Sequence, residues 1–204
     1  MAVWKVKRDF QIAFLRRRGL RPADRLADIG CGTLRGGIPI IAYLEAGNYY
    51  GFDVRAEALN EARHELAEND LTHKRPVLTQ SNGLGSLELD ERFDVIWAFS
   101  VFMHLTDDAL DGVLAFASRQ LAPGGAMYAN VMVGERPEGQ WRGFPVISRA
   151  LADYRQAAMR HRLEMAELGT LESLGHPPGP GAPQVMLMLT SPSPAANHRG
   201  DPAS

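Results

Sequence analysis

The stretch Asp28-Ile29-Gly30-Cys31-Gly32-Thr33 carries the densest chemistry in this chain: an acid, two glycines one residue apart, and a hydroxyl. Residues without bulky side chains let a ligand lie against the backbone. In doubly wound sheets ligands bind beyond the carboxyl ends of the strands, where the strand order reverses. A second acid, Asp53, follows 25 residues later in Tyr50-Gly51-Phe52-Asp53-Val54. A carboxylate there can accept hydrogen bonds from both hydroxyls of a ribose, or it can cap the helix that follows. Together the glycines and the acid point to a nucleoside site. A dinucleotide fingerprint would put a third glycine at position 35, where Arg35 stands, with Gly36 one residue late. That spacing counts against a pyrophosphate cradle.

The elements that must position these residues alternate regularly. Leu26–Ile29 and Tyr49–Val54 read as buried strands, each ending on one of the two sites. Further strands are expected at Pro76–Thr79, Phe93–Phe99 and Ala126–Val133. Between them Ile38–Leu44, Ala56–Asn69 and a segment from Thr106 to about Leu121 have helical period, and Pro123-Gly124-Gly125 breaks the last of these. Such alternation argues for βαβ units and a parallel sheet covered on both faces. After Gly134 a polar loop runs to about Ile147, then a helix from Ser148 to about His161. Leu163–Leu168 and Val185–Thr190 are strands with no helix between them, so an antiparallel pair is expected. Ser191–Ser204 reads as a disordered tail.

On these residues the chain resembles the class I S-adenosylmethionine-dependent methyltransferases. Asp28–Thr33 matches their first motif, and Asp53 the acid of the second. Asn82 stands where an acid or amide contacts the adenine, Phe93-Asp94-Val95-Ile96-Trp97 resembles the fourth-strand motif, and Pro123-Gly124-Gly125 the turn before the fifth strand. The resemblance covers roughly Leu20 to Thr190. It implies a doubly wound, mostly parallel seven-stranded sheet with a C-terminal antiparallel strand, the Rossmann-like methyltransferase fold. The organisation expected is a basic amphipathic helix over 1–19, a methyltransferase domain over 20–190 and a tail over 191–204. The cofactor implied is S-adenosylmethionine. Gly30, Gly32 and Thr33 would line its methionine part and ribose, and Asp28 would orient the loop and favour the cationic amino group. Asp53 would hold the ribose, Val54 would pack on the adenine, Asn82 and Gly83 would close around the base, and Ser100 would lie near the methionine end. Two positions depart from the family pattern: Leu34 replaces a third small residue, and Asn82 is an amide that can still accept from and donate to adenine.

Methyl transfer from a sulfonium needs alignment and exclusion of water more than it needs acid or base. A base is required only for an alcohol or a protonated amine. His104 follows the fourth strand and is the best-placed candidate, with a structural role as the alternative; His176 is a second candidate. Trp141 and Phe144 could form a lid or fold back onto the core. Cys31 near a helix start admits a redox reading beside that of a small buried filler.

The remaining composition is that of an ordinary globule: 204 residues, 45% apolar, 23% charged, net charge −2. Eight basic residues between Met1 and Arg25 face only Asp9 and Asp24. They form either an arm for a polyanion or the solvated face of an amphipathic helix, with Arg16–Arg18 favoured at its C-terminus and Gly19 as cap. The single cysteine fits a reducing compartment, no run approaches the roughly 20 apolar residues of a membrane span, and no secretory pattern opens the chain, so a cytoplasmic location is expected. The expected partner is a small-molecule acceptor, with nucleic acid and membrane disfavoured; the acceptor and the oligomeric state stay open. Alternatives are a nicotinamide-dinucleotide oxidoreductase and a non-catalytic interaction module that keeps the fold.

Overall fold

The computed structural model describes residues 2–134, 139–141, 143–178 and 184–192, with the side chains of 2–7 left aside. The expected tail from 193 onward, and the Val3 and Val6 side chains of the expected amphipathic face, lie outside the described residues.

Helix α1 (Ala2–Arg17) precedes strand β1 (Leu26–Ile29), helix α2 (Gly37–Tyr43), strand β2 (Tyr49–Asp53), helix α3 (Ala56–Glu68) and strand β3 (Val77–Gln80). Strand β4 (Phe93–Ala98), helix α4 (Asp107–Gln120) and strand β5 (Leu121–Met132) follow. Then come β6 (Gly139–Trp141), β7 (Phe144–Val146), α5 (Leu151–Arg160), β8 (Glu164–Thr170) and β9 (Gln184–Thr190). Seven strands form one sheet in the order β3-β2-β1-β4-β5-β9-β8. The pairings among β1 to β5 are parallel, whereas β9 runs antiparallel to both β5 and β8. The order reverses between β1 and β4, which places the crevice at the carboxyl ends of those strands.

Side-chain alternation sends the two faces of each strand into two cores. In β4, Val95 and Trp97 pack with α1, α2 and α3 through Phe14, Ile40 and Leu59. Ile96 and Ala98 pack on the other face with α4 and α5 through Leu114, Phe116 and Ala157. Both cores need these helices, because a parallel sheet leaves no face for water.

Helix α1 contributes Phe10, Phe14 and Leu15 to the first of these cores. Its end is a Schellman turn: Leu20 N–H donates to Leu15 O and Gly19 N–H to Arg16 O, with Gly19 at φ +95°. The adjoining cations serve the chain itself. Arg16 lies over the Tyr43 ring, Arg18 over Phe14, and Arg17 donates to the Leu174 carbonyl.

Two sequence expectations change. The loop after Gly134 contains the antiparallel pair β6–β7. Pro123-Gly124-Gly125 does not separate α4 from β5 but sits inside the β4–β5 ladder, which shifts register between Phe93 and Val95. Gly124 takes φ +80° there, and a methyl on Gly125 would come within 2.8 Å of the Phe93 carbonyl oxygen. The glycines form a bulge, with the strand resuming beyond it.

Candidate functional site

Helix α2 needs a start just beyond β1, and the turn that supplies it is built on two left-handed glycines. Gly30 has φ +70° and Gly32 φ +55°. A methyl on Gly30 would lie 2.6 Å from Val101 Cγ2, so that position tolerates no side chain. Leu34 also takes a left-handed backbone, φ +59°, and buries its side chain completely. The departure from a small residue at this position is thus absorbed by the core, while the glycine turn stays bare.

A cleft opens over this turn in two lobes that share Gly30, Arg55 and Trp141. The larger, about 330 Å³, is mainly apolar and holds Asp53, Val54, Asn82, Gly83, Ser100 and His104 on its wall. The smaller, about 210 Å³, is polar and holds Asp28, Gly32, Thr33 and Arg35. Every residue singled out in the sequence for a cofactor, and His104, lies on one lobe or the other. The arrangement matches a ligand with an apolar base at one end, a zwitterionic amino acid at the other and a diol between. S-adenosylmethionine has that form, and the residues present fit it.

Asp53 does not cap α3; the N-cap position is Arg55, and its side chain makes no capping bond. Instead the buried Asp53 carboxylate accepts from Gly32 N–H at 2.9 Å through Oδ2, and from Arg55 N–H (2.9 Å) and Nε–H (3.2 Å) through Oδ1. It ties the glycine turn to the end of β2. Arg55 extends from there across the cleft, its guanidinium 5.7 Å from the Phe144 ring centroid. Sequence reasoning passed over Arg55, because nothing local marks a residue two after an acid as a bridge between lobes.

Asp28 is buried under the turn and accepts from the Tyr49 hydroxyl at 2.5 Å. Burial pushes its carboxyl up to about 7; the Tyr49 hydrogen bond opposes this, and the charge of Asp53 adds to it. Burial likewise pushes the Cys31 thiol well up, with the charges of Asp28 and Asp53 adding to it. Such a thiol keeps its proton and acts as filler, which removes the redox reading.

The β6–β7 pair forms the outer wall. His104 stacks on Trp141 with ring centroids 5.6 Å apart, and its Nδ1 lies 2.8 Å from the Pro145 carbonyl oxygen. A carbonyl only accepts, so Nδ1 carries the hydrogen and neutral His104 keeps Nε2 as its acceptor. Trp141 is 52% exposed and lines both lobes. His176 packs edge-on to Phe10 at 5.0 Å and near Phe99 at 5.8 Å, within an aromatic cluster. Helix α1 reaches the polar lobe through Gln11, which also accepts from Trp97 Nε1–H at 3.0 Å. An amphipathic pattern marks the buried face of a helix, not the polar residue beside it, so Gln11 was not legible.

Comparison with known proteins agrees with this geometry. Residues 27–127, about half of the chain, match the family model described as a methyltransferase domain. An uncharacterised methyltransferase of Schizosaccharomyces pombe is 30% identical over 112 residues, covering 52% of this chain and 39% of that protein. The 27-O-demethylrifamycin SV methyltransferase of Amycolatopsis mediterranei is 34% identical over 113 residues, covering 53% of this chain and 38% of the other. The chain therefore spans about two fifths of the length of the curated relatives it matches. The crystal structure of an S-adenosylmethionine-dependent methyltransferase from Clostridium acetobutylicum has the same fold, with a TM-score of 0.70 at 13% identity over 92% of both chains. By its motifs, its strand order and its matched domain, the chain belongs to the class I S-adenosylmethionine-dependent methyltransferases.

Proposed function

We propose that the protein binds S-adenosylmethionine across the two lobes and transfers its methyl group to an oxygen or nitrogen of a small-molecule acceptor. The observation that carries this reading is the Asp53 carboxylate, which lies on the wall of the apolar lobe and accepts from Gly32 N–H at the polar one. When bound, the cofactor supplies a methyl on a cationic sulfur that leaves readily. The chain binds, orients and excludes water. Gly30, Gly32 and Thr33 line the methionine part. Asp28, when ionised, favours the ammonium group, and Asp53 holds the ribose hydroxyls. Val54, 46% exposed at the lobe wall, packs on the adenine, with Asn82 and Gly83 closing around it. Ser100 lies by the methionine end. Trp141 and Phe144 keep water from the junction of the lobes. For a hydroxyl or ammonium acceptor, His104 receives the departing proton on Nε2, its ring held by the Nδ1–H bond to Pro145.

A small acceptor is supported by the apolar character of the larger lobe and by a relative named for 27-O-demethylrifamycin SV. The basic residues at the end of α1 bind their own chain, which disfavours a nucleic-acid partner. No helix among the described residues is long and apolar enough to cross a membrane, and a cytoplasmic enzyme is the reading that fits one buried free cysteine.

Calorimetry with S-adenosylmethionine, S-adenosylhomocysteine and NAD tests the proposal. Micromolar binding of the first two, weakened about 100-fold by Asp53→Ala through loss of charge-assisted hydrogen bonds, is expected. Binding of NAD alone would overturn it. Cofactor binding without turnover across an acceptor screen would favour the interaction module.

A further inference from the structure

Ser100 sits two residues beyond the end of β4, on the wall of the larger lobe, with φ +59°. The left-handed region is costly for a residue with a Cβ, and such a state persists only where surrounding structure enforces it. The β4–β5 ladder ends at the Ala98–Ala129 pair, so the Ser100 amide lies past the last registered pair. Its N–H donates instead to Asn130 Oδ1 at 2.6 Å. No part of Asn130 reaches solvent. Its Nδ2–H in turn donates to Gln184 Oε1.

The polarity of this chain of bonds is fixed from one end. A backbone N–H can only donate, so Asn130 must present its oxygen to Ser100 and its NH2 to Gln184, which then presents Oε1. The sheet brings the two amides together. Asn130 pairs with Met186 and Met132 with Gln184, so Asn130 and Gln184 are diagonal neighbours on one face of the β5–β9 ladder. The residue after Ser100 completes the link. Val101 is the side chain against which Gly30 packs, leaving no room for a methyl there.

We propose that Asn130 and Gln184 are positioning residues that hold Ser100 in its left-handed conformation and so set Val101 against the Gly30 turn of the cofactor cradle. Neither residue lines the cleft; each acts through Ser100. The proposal rests on the methyltransferase reading for its binding assay and on backbone geometry alone for its second assay.

The test uses the full chain with Asn130→Ala and Ser100→Gly, singly and combined. S-adenosylhomocysteine binding is measured by calorimetry. Asn130→Ala is expected to weaken binding roughly tenfold, the scale of an unsupported left-handed residue. In the Ser100→Gly background the same substitution should cost less than about threefold, because glycine takes that conformation unaided. An unchanged affinity, or an equal loss in both backgrounds, overturns the proposal. Hydrogen exchange read by mass spectrometry on the ligand-free protein is the second measurement. Exchange over residues 97–105 should accelerate in Asn130→Ala while residues 49–53 stay protected; unchanged exchange at 97–105 overturns the proposal as well. If the unaltered protein does not bind S-adenosylhomocysteine, the methyltransferase reading falls and the exchange result alone decides the clamp. Should Asn130→Ala fail to fold, Gln184→Met at the half-buried start of β9 replaces it, with a loss of about twofold to fivefold, again suppressed by Ser100→Gly.

Discussion

Replacing Asp28 with asparagine should make the protein more stable at pH 8 and a poorer cofactor binder at the same time. The carboxyl is buried and titrates near 7, against 3.8 for the free side chain. Between those values the folded protein keeps a proton that the unfolded chain releases. A raised carboxyl pKa contributes stability that is fully present below about pH 4 and is lost as pH rises through about 7. The gap of roughly three units, at about 1.4 kcal/mol each, amounts to about 4 kcal/mol by pH 8. About 3 kcal/mol of this falls between pH 5 and pH 8. The uncharged amide of the Asp28→Asn variant would carry no such penalty, and its side-chain oxygen can still accept from the Tyr49 hydroxyl. Urea unfolding of both proteins, ligand-free, at pH 5, 6, 7 and 8 reads the difference, in which every other titrating group cancels. The stability of Asp28→Asn relative to the parent should grow by about 3 kcal/mol across that range and then level. A constant offset at all four pH values would show that Asp28 is ionised throughout, and the reasoning from burial would be wrong. In the same samples, S-adenosylhomocysteine affinity of the parent should rise from pH 6 to pH 8, as ionised Asp28 meets the ammonium group. The variant should bind at least about tenfold more weakly at pH 8 and lack that rise.

Other outcomes follow from single contacts. Gly30→Ala places a methyl 2.6 Å from Val101 Cγ2 on a backbone at φ +70°; it should cost about 1–3 kcal/mol in unfolding experiments and abolish cofactor binding, with Val101→Ala recovering only the steric part. Arg55→Ala should tighten S-adenosylhomocysteine binding about twofold to fivefold, because the half-exposed Arg55–Asp53 pair must yield to the ribose; weaker binding would mean that Arg55 holds the ligand and does not compete with it. His104→Gln should lower turnover of a hydroxyl acceptor by about 100-fold or more, with a much smaller effect on cofactor affinity. Undiminished turnover would leave His104 as a support for the β6–β7 wall through Trp141 and Pro145.

Local patterns made much of this molecule legible. Apolar runs such as Phe93–Ala98 and the glycine turn at Gly30–Gly32 declare themselves within a few residues, since burial on both faces and a bare backbone leave a direct mark on residue type. The paired strands β8 and β9 followed from the lack of any helix between them. The β6–β7 pair did not, because its segments lack alternation and are fixed by contacts with the turn after β4, namely Ile147 N–H to Met103 O and His104 to Pro145. The bulge at Gly124 and Gly125 read as a break for a related reason: glycine and proline mark both, and only the partner strand distinguishes them.

At the site, residue types and spacing marked side chains that the fold gathers on one cleft, because a glycine turn and an acid at successive strand ends have few other uses. The tertiary structure alone decided how they are held. Arg55 on Asp53, Tyr49 on Asp28, Gln11 at the polar lobe and Asn130 beneath Ser100 are pairings across separate elements. Apart from the Arg55–Asp53 pair, which adjoins in sequence, their energies arise when strand order and register bring groups 21 to 86 residues apart within hydrogen-bond reach, and no local pattern encodes that approach.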